Sequence, residues 1–150
     1  MKTFRIGGVH PAENKLSAAE PIKVAELPKV AVFPMGQHIG APALPVVQKG
    51  DKVKVGTLIA KPMENALSTS IFSSVSGTVL KVDTVVDASG YKKPAVYVSV
   101  EGDEWEESID RSDKLVTLKD KPELTPEQII EKVKNAGIVG MGGACFPTHV

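Results

Sequence analysis

The sequence has one cysteine, no net charge and no long hydrophobic run, and each absence excludes a class of protein. Because Cys145 is the only cysteine in 150 residues, no internal disulfide can form, and one thiol cannot by itself hold zinc or an iron–sulfur cluster. Basic and acidic residues number 18 each and are interspersed, which disfavours nucleic-acid binding. No apolar stretch approaches the roughly 18 residues that cross a bilayer, and no signal-peptide core is present. A reducing, cytoplasmic setting fits best.

What is present is typical of a globular protein, with 42% hydrophobic and 24% charged residues. Residues 1–29 show no sustained period of two or 3.6 and contain paired glycines and several prolines. This pattern predicts an extended lead-in that lies across other structure.

Residues 30–100 predict a compact, mainly β unit. Short β-prone stretches alternate there with glycine and proline, which favours a small sandwich or barrel over an open parallel sheet. The predicted strands are residues 30–33, 52–55, 58–59, 70–72, 78–82 and 95–100.

Residues 101–124 predict an acidic linker that packs in places against the β unit. Its apolar residues are few, and Trp105 is the simplest anchor for the linker. The other candidate anchors are Ile109, Leu115 and Val116.

Residues 125–150 predict one helix followed by a glycine-rich loop. Thr125 can act as N-cap, Pro126 suits the first helical position, and Gln128 has the spacing of a capping box. Gly137 supplies a left-handed stop. Between them, an apolar stripe comprises Ile129, Ile130, Val133 and Ala136.

Residues 47–60 and 73–79 together resemble the biotinyl/lipoyl carrier fold, a flattened barrel of two similar sheets. In carriers the modifiable lysine lies at a hairpin tip, and here that position falls on Ala66. Lys61 lies five residues earlier and is followed by Pro62, so it would not project from the same tip. Without an amine at the tip no lipoyl or biotinyl amide can form, which argues against a carrier function while leaving the fold prediction in place.

Four stretches in order resemble the RnfC family of the Rnf electron-transport complex: residues 4–15, 34–43, 50–77 and 137–149. The resemblance covers essentially the whole chain. It implies a barrel-sandwich hybrid unit, biotinyl/lipoyl-carrier-like, with an extended N-terminal lead-in and one C-terminal helix that opens a flavin- and NADH-binding domain.

The same resemblance implies a peripheral protein on the cytoplasmic face of the bacterial inner membrane, held there by other Rnf complex subunits. Such a complex passes electrons between NADH and ferredoxin and couples them to ion movement. FMN and two 4Fe-4S clusters are implied for the full-length protein, with the cluster ligands beyond Val150. The 150 residues alone are expected to be catalytically silent.

The glycine-rich loop also looks like the flavin loop of the NADH-oxidising subunit of respiratory complex I. Glycines let backbone amides approach a phosphate or a flavin ring, and consecutive N–H groups can form an anion-binding nest. The resemblance implies that Phe146 stacks on NADH, and that Met141 stands where complex I has an arginine. The residues implied to cradle FMN are Gly140, Gly142, Gly143, Ala144, Phe146 and Thr148.

Several alternatives stay open at this point. The loop does not fit the dinucleotide fingerprint, because it follows a helix, and no Walker lysine follows it. It could be a plain connector in a module that only docks the protein to its partners. Cys145 is expected to be a partly buried small residue and His38 a hydrogen-bonding structural histidine, whereas His149 could serve structure or the nucleotide site.

Overall fold

The structure is a computed structural model that describes residues 11–114, Thr117 and residues 124–150. The predicted anchors Leu115 and Val116, and the resemblance over residues 4–10, lie outside the described residues. Within the described ranges the elements are seven strands and one helix: β1 (Val30–Pro34), β2 (Leu44–Pro45), β3 (Lys52–Val53), β4 (Leu58–Lys61), β5 (Ile71–Phe72), β6 (Ser76–Val86), β7 (Lys92–Gly102) and α1 (Pro126–Asn135).

The strands form two antiparallel sheets, one in the order β1-β7-β6-β3 and the other in the order β2-β4-β5. The mainly β architecture with a single helix agrees with the fold that the sequence predicts. One core lies between the sheets. Its members alternate along the strands, as expected for sheets with one buried face. They are Phe33, Met35, Ala43, Val53, Ile59, Ala60, Ile71, Val75, Val79, Val96 and Val98.

The longest elements, β6 and β7, pair along their whole length and are longer than the sequence predicts. Their register shifts between Val79 and Lys81, which marks a bulge. Beyond the bulge, Pro94 lies opposite Thr84, and the Tyr97 hydroxyl donates to the Thr84 carbonyl at 2.8 Å. Proline and charged residues obscured this part of the ribbon in the sequence, because both are uncommon in strands.

The acidic linker meets the β unit through its backbone. Val55 N–H donates to the Glu104 carbonyl at 2.8 Å, and Glu106 N–H donates to the Val55 carbonyl at 3.0 Å. Trp105 between them is 38% exposed, with the Arg111 guanidinium 4.6 Å from its ring centroid. The linker is therefore anchored at Trp105 by strand-like hydrogen bonds more than by burial of the indole.

The described part of the lead-in does not lie across the β unit. Residues 11–30 are all exposed, including Ile22 and Val24 at 99% and 97%. At its end, the Lys29 carbonyl accepts a hydrogen bond from Val100 N–H at 3.0 Å, just where β1 begins. The segment is extended except for a turn at residues 16–19.

Candidate functional site

The helix that leads to the glycine-rich loop begins as the sequence predicts. Thr125 Oγ1 accepts from Gln128 N–H at 3.3 Å, and Gln128 Oε1 accepts from Thr125 N–H at 2.9 Å, which completes the capping box. Gly137 ends the helix with a φ of 67°. A β-carbon there would lie 2.6 Å from the Ser70 carbonyl oxygen, so the helix exit packs tightly beside β5. None of the apolar stripe is fully buried.

The loop itself is a short hairpin closed at its base. Gly140 N–H donates to the Phe146 carbonyl at 2.8 Å, and Thr148 N–H donates to the Ile138 carbonyl at 3.0 Å. Val139 and Pro147 form an antiparallel bridge between these two bonds. Of the six residues expected to bind FMN, Gly140, Phe146 and Thr148 therefore lie at the base, and Gly142, Gly143 and Ala144 lie at the tip.

The tip presents backbone donors that are free to bind a ligand. Within the described ranges, the N–H groups of Met141, Gly142, Gly143 and Cys145 have no acceptor. A β-carbon on Gly142 or Gly143 would meet nothing within 4 Å, so the space beside them is open. Gly143 has a φ of 124°, which favours glycine. This donor set fits an anion or the polar edge of a flavin.

The side chains of the loop supply little charge. Met141 is 99% exposed, and Phe146 is 46% exposed, which leaves an aromatic surface available for stacking. Cys145 is half-buried and has a φ of 48°. The loop thus offers hydrogen bonds and one aromatic ring, without a cationic side chain of its own.

Next to the loop, a cleft of about 750 Å³ separates it from the hairpin loop between β4 and β5. Ala66 lies on one wall of the cleft, and Lys134 and His149 lie on the other. Asn65, with a φ of 56°, makes the turn beside Ala66, which agrees with a tip at that position. Ser68 Oγ and His149 Nδ1 are buried at this junction and have no hydrogen-bond partner among the described residues.

Lys61 does not lie at this tip. It is part of β4 and pairs with Leu44 of β2, a strand of two residues that sequence reasoning missed. The position of the carrier lysine is therefore occupied by Ala66 alone.

Residues 36–41, which we term the bridging segment, run between the two loops. Ile39 N–H donates to the Ala144 carbonyl at 3.2 Å, and Ala41 N–H donates to the Leu67 carbonyl at 2.9 Å. Sequence reasoning placed no site residue here. The signal was present in Gly36 and Gly40, because glycines on both sides of a histidine indicate a constrained turn.

His38 is the buried centre of the bridging segment. Its Nε2 lies 3.4 Å from Thr69 N–H, and its Nδ1 lies 3.2 Å from the Ile39 carbonyl. Both contacts are satisfied together when the proton is assigned to Nδ1, which leaves Nε2 as the acceptor. The expected hydrogen-bonding role of His38 is what the geometry provides.

Comparison with known proteins identifies the family. The model of the RnfC barrel sandwich hybrid domain matches residues 2–103. The chain belongs to the RnfC family. It is 43% identical, over its whole length, to the RnfC-type subunit of the proton-translocating ferredoxin:NAD(+) oxidoreductase complex of Clostridium ljungdahlii, and 41% identical over 99% of its length to the Na(+)-translocating counterpart of Acetobacterium woodii. The corresponding subunit of the ion-translocating oxidoreductase complex of Rhodobacter capsulatus is 38% identical over the whole chain.

The RnfC-family chain spans about a third or less of the length of these curated relatives: 32% of the first two and 28% of the third. No helix in its described residues has the length and apolar character to cross a bilayer. Among the same residues, no group of three or more histidine, cysteine, aspartate or glutamate side chains is placed to hold a metal ion.

Proposed function

We propose that this chain forms one wall of an FMN site in a protein that passes electrons between NADH and ferredoxin within an ion-translocating complex. The observation that supports this most is the glycine-rich hairpin with four unpaired N–H groups, among the described residues, beside open space. The names of the relatives, which are subunits of ferredoxin:NAD(+) oxidoreductase complexes, support the electron-transfer role.

The chain's own contribution to this site is binding and orientation. The N–H groups at the loop tip donate to the phosphate or ring of FMN, and the missing β-carbons of Gly142 and Gly143 let those atoms approach. Gly140 and Thr148 close the base of the loop through their backbone, and Phe146 stacks on NADH. The chemistry that FMN supplies when bound is the conversion between two-electron and one-electron transfer.

Met141 makes binding depend on the backbone. An arginine at this position would add a charge-assisted hydrogen bond, which is about twice as strong as a neutral one. In this chain the amides carry the interaction without it, so we expect FMN to bind reversibly and to be lost on dilution more readily than from a site with that arginine.

The remaining features of the parent protein are part of the same proposal. Two 4Fe-4S clusters would be ligated by residues beyond Val150. Other Rnf complex subunits would hold the protein on the cytoplasmic face of the bacterial inner membrane, and the names of the relatives support membership of such a complex.

A second candidate function is that of an interaction module without cofactor contact. It is favoured by the exposed lead-in, in which Ile22 and Val24 are almost fully accessible. Apolar side chains exposed in an extended segment suit a partner's surface. Under this alternative the glycine-rich hairpin is only a connector.

One experiment separates the two functions. A chain extended to the length of the relatives is purified, supplied with FMN, and examined for flavin absorbance and for its bleaching by NADH. The key variant is Gly142→Val, because no positive φ and no close neighbour at Gly142 would prevent the protein from folding. The matched control is Gly36→Val, where a β-carbon also meets nothing within 4 Å.

We expect the wild type and Gly36→Val to bind FMN and to bleach, and Gly142→Val to lose both. A well-folded extended protein that never takes up flavin would refute the FMN proposal. So would a Gly142→Val variant that binds and bleaches normally.

A further inference from the structure

The bridging segment holds the glycine-rich loop at one atom, the carbonyl oxygen of Ala144. This oxygen belongs to the same planar, trans peptide unit as Cys145 N–H, so the two groups point in opposite directions. Because Ile39 N–H binds the oxygen at 3.2 Å, the Cys145 N–H must face away from the bridging segment. The contact therefore orients one of the four free donors of the loop.

Ile39 can act in this way only if it is itself fixed, and His38 fixes it. The imidazole is buried and reaches in two directions, to Thr69 N–H through Nε2 and to the Ile39 carbonyl through Nδ1. Thr69 lies at the start of the segment that leads into β5 and is 1% exposed. The ring thus connects the peptide that follows Ile39 to a rigid part of the β unit.

Gly40 completes the attachment on the other side. Its φ is 105°, and a β-carbon would overlap with the Leu67 carbonyl oxygen. The close approach allows Ala41 N–H to bind that same oxygen. Only glycine combines this backbone conformation with this approach.

We infer that His38 and Gly40 are positioning residues for the flavin site, which they hold in shape through Ile39 without touching the flavin. The inference rests on the proposed FMN function for its consequence and on the bridging segment for its cause. It makes the carrier-like β unit a fixed support of the loop, in contrast to the mobile arm of a carrier protein.

The test uses two measurements that do not depend on each other. Amide hydrogen exchange of Ile39, Gly140 and Thr148, followed by NMR in the 150-residue chain, reports how firmly the loop is held without any flavin. The dissociation constant for FMN in the extended chain reports the effect on the site. Trp105 fluorescence during urea unfolding shows whether the β unit has kept its stability.

We expect His38→Ala to accelerate exchange of these three amides about tenfold and to weaken FMN binding by a similar factor, the effect of losing about one hydrogen bond. Val98 N–H, in the core strand β7, should exchange as before. His38→Gln, whose side-chain oxygen can take the place of Nε2, should restore part of both effects. Gly40→Ala should act like His38→Ala or more strongly.

The controls lie in the same region. Gly36→Ala adds a β-carbon to the bridging segment in open space, and Thr69→Val keeps the N–H that binds His38 while removing a hydroxyl that has no partner among the described residues. Both should match the wild type. If His38→Ala changes neither exchange nor FMN affinity, the positioning role is wrong. If exchange responds while no variant, including the wild type, binds FMN, the bridging segment stands and the FMN proposal fails.

Discussion

Gly77 passes so close to Ser99 that a β-carbon on the glycine would overlap with the serine's carbonyl oxygen. The two residues lie on the neighbouring strands β6 and β7, at the point where the register shifts next to the closing Ser76–Gly102 pair. The absence of a side chain at Gly77 therefore permits the longest strand pair of the β unit to close.

Gly77→Ala should destabilise the β unit by about 2 kcal/mol, because the added methyl group must push β6 away from β7. Urea unfolding followed by Trp105 fluorescence measures the change. Gly90→Ala is the matched control: its φ is 80° and no atom lies within 4 Å of a β-carbon, so only backbone strain of about 1 kcal/mol is added. Equal losses in the two variants would contradict the close contact at Ser99.

Thr125→Ala should destabilise α1 by about 1 kcal/mol, since it removes the acceptor for Gln128 N–H and breaks the capping box. Amide exchange of the first helical turn measures the effect. Glu131→Ala, on the exposed surface of the same helix, should leave exchange nearly unchanged because alanine is a good helix former. A helix that ignores the loss of Thr125 would show that packing beside β5 alone maintains it.

Stability should fall as the pH drops below about 4.5, partly through Glu101. The Thr78 hydroxyl, which donates to Glu101 Oε1 at 2.6 Å, and the Lys52 ammonium at 2.9 Å hold the pKa of the Glu101 carboxyl below its ordinary value of 4.5. A lowered folded-state pKa means that the contribution is present above the unfolded-state pKa and is lost as the pH falls through the folded-state pKa.

The measurement is the urea midpoint of wild type and Glu101→Gln at about pH 6 and about pH 3. The variant should be less stable than the wild type at the higher pH and closer to it at the lower pH. Glu131→Gln on α1 serves as the reference for an exposed glutamate. A constant difference between wild type and Glu101→Gln at both pH values would show that the carboxylate's charge is not involved.

Co-expression with a lipoyl or biotin ligase should add no mass to the chain, because Ala66 occupies the tip and Lys61 is held in β4. Intact-mass spectrometry detects either modification directly. A known lipoyl domain expressed with the same ligase provides the positive control. A mass gain on this chain would restore the carrier function that the sequence argues against.

The features that were predictable from the sequence are those encoded by near neighbours. The start of α1 followed from Thr125, Pro126 and Gln128, which make their hydrogen bonds within one turn. The stop at Gly137 followed from a single residue type. The β character of residues 30–100 followed from composition and punctuation.

The features that were missed depend on residues distant in sequence. β2 exists because Leu44 and Pro45 lie beside β4, and two residues give no period to detect. The outer part of the β6–β7 ribbon is held by cross-strand bonds that outweigh the low strand propensity of Pro94. The site residues of the loop were chosen by resemblance, whereas their support by Ile39 depends on a turn far earlier in the chain.

The hydrogen bond between Ile39 and Ala144 also has a consequence for the order in which the protein folds. Closing a loop of about a hundred residues costs chain entropy that no nearby contact repays. The barrel strands between them bring the two ends together first, so the glycine-rich hairpin should acquire its final shape late, after the β unit has formed. A folding intermediate with a native Trp105 environment and an unformed hairpin is the species to seek in refolding experiments.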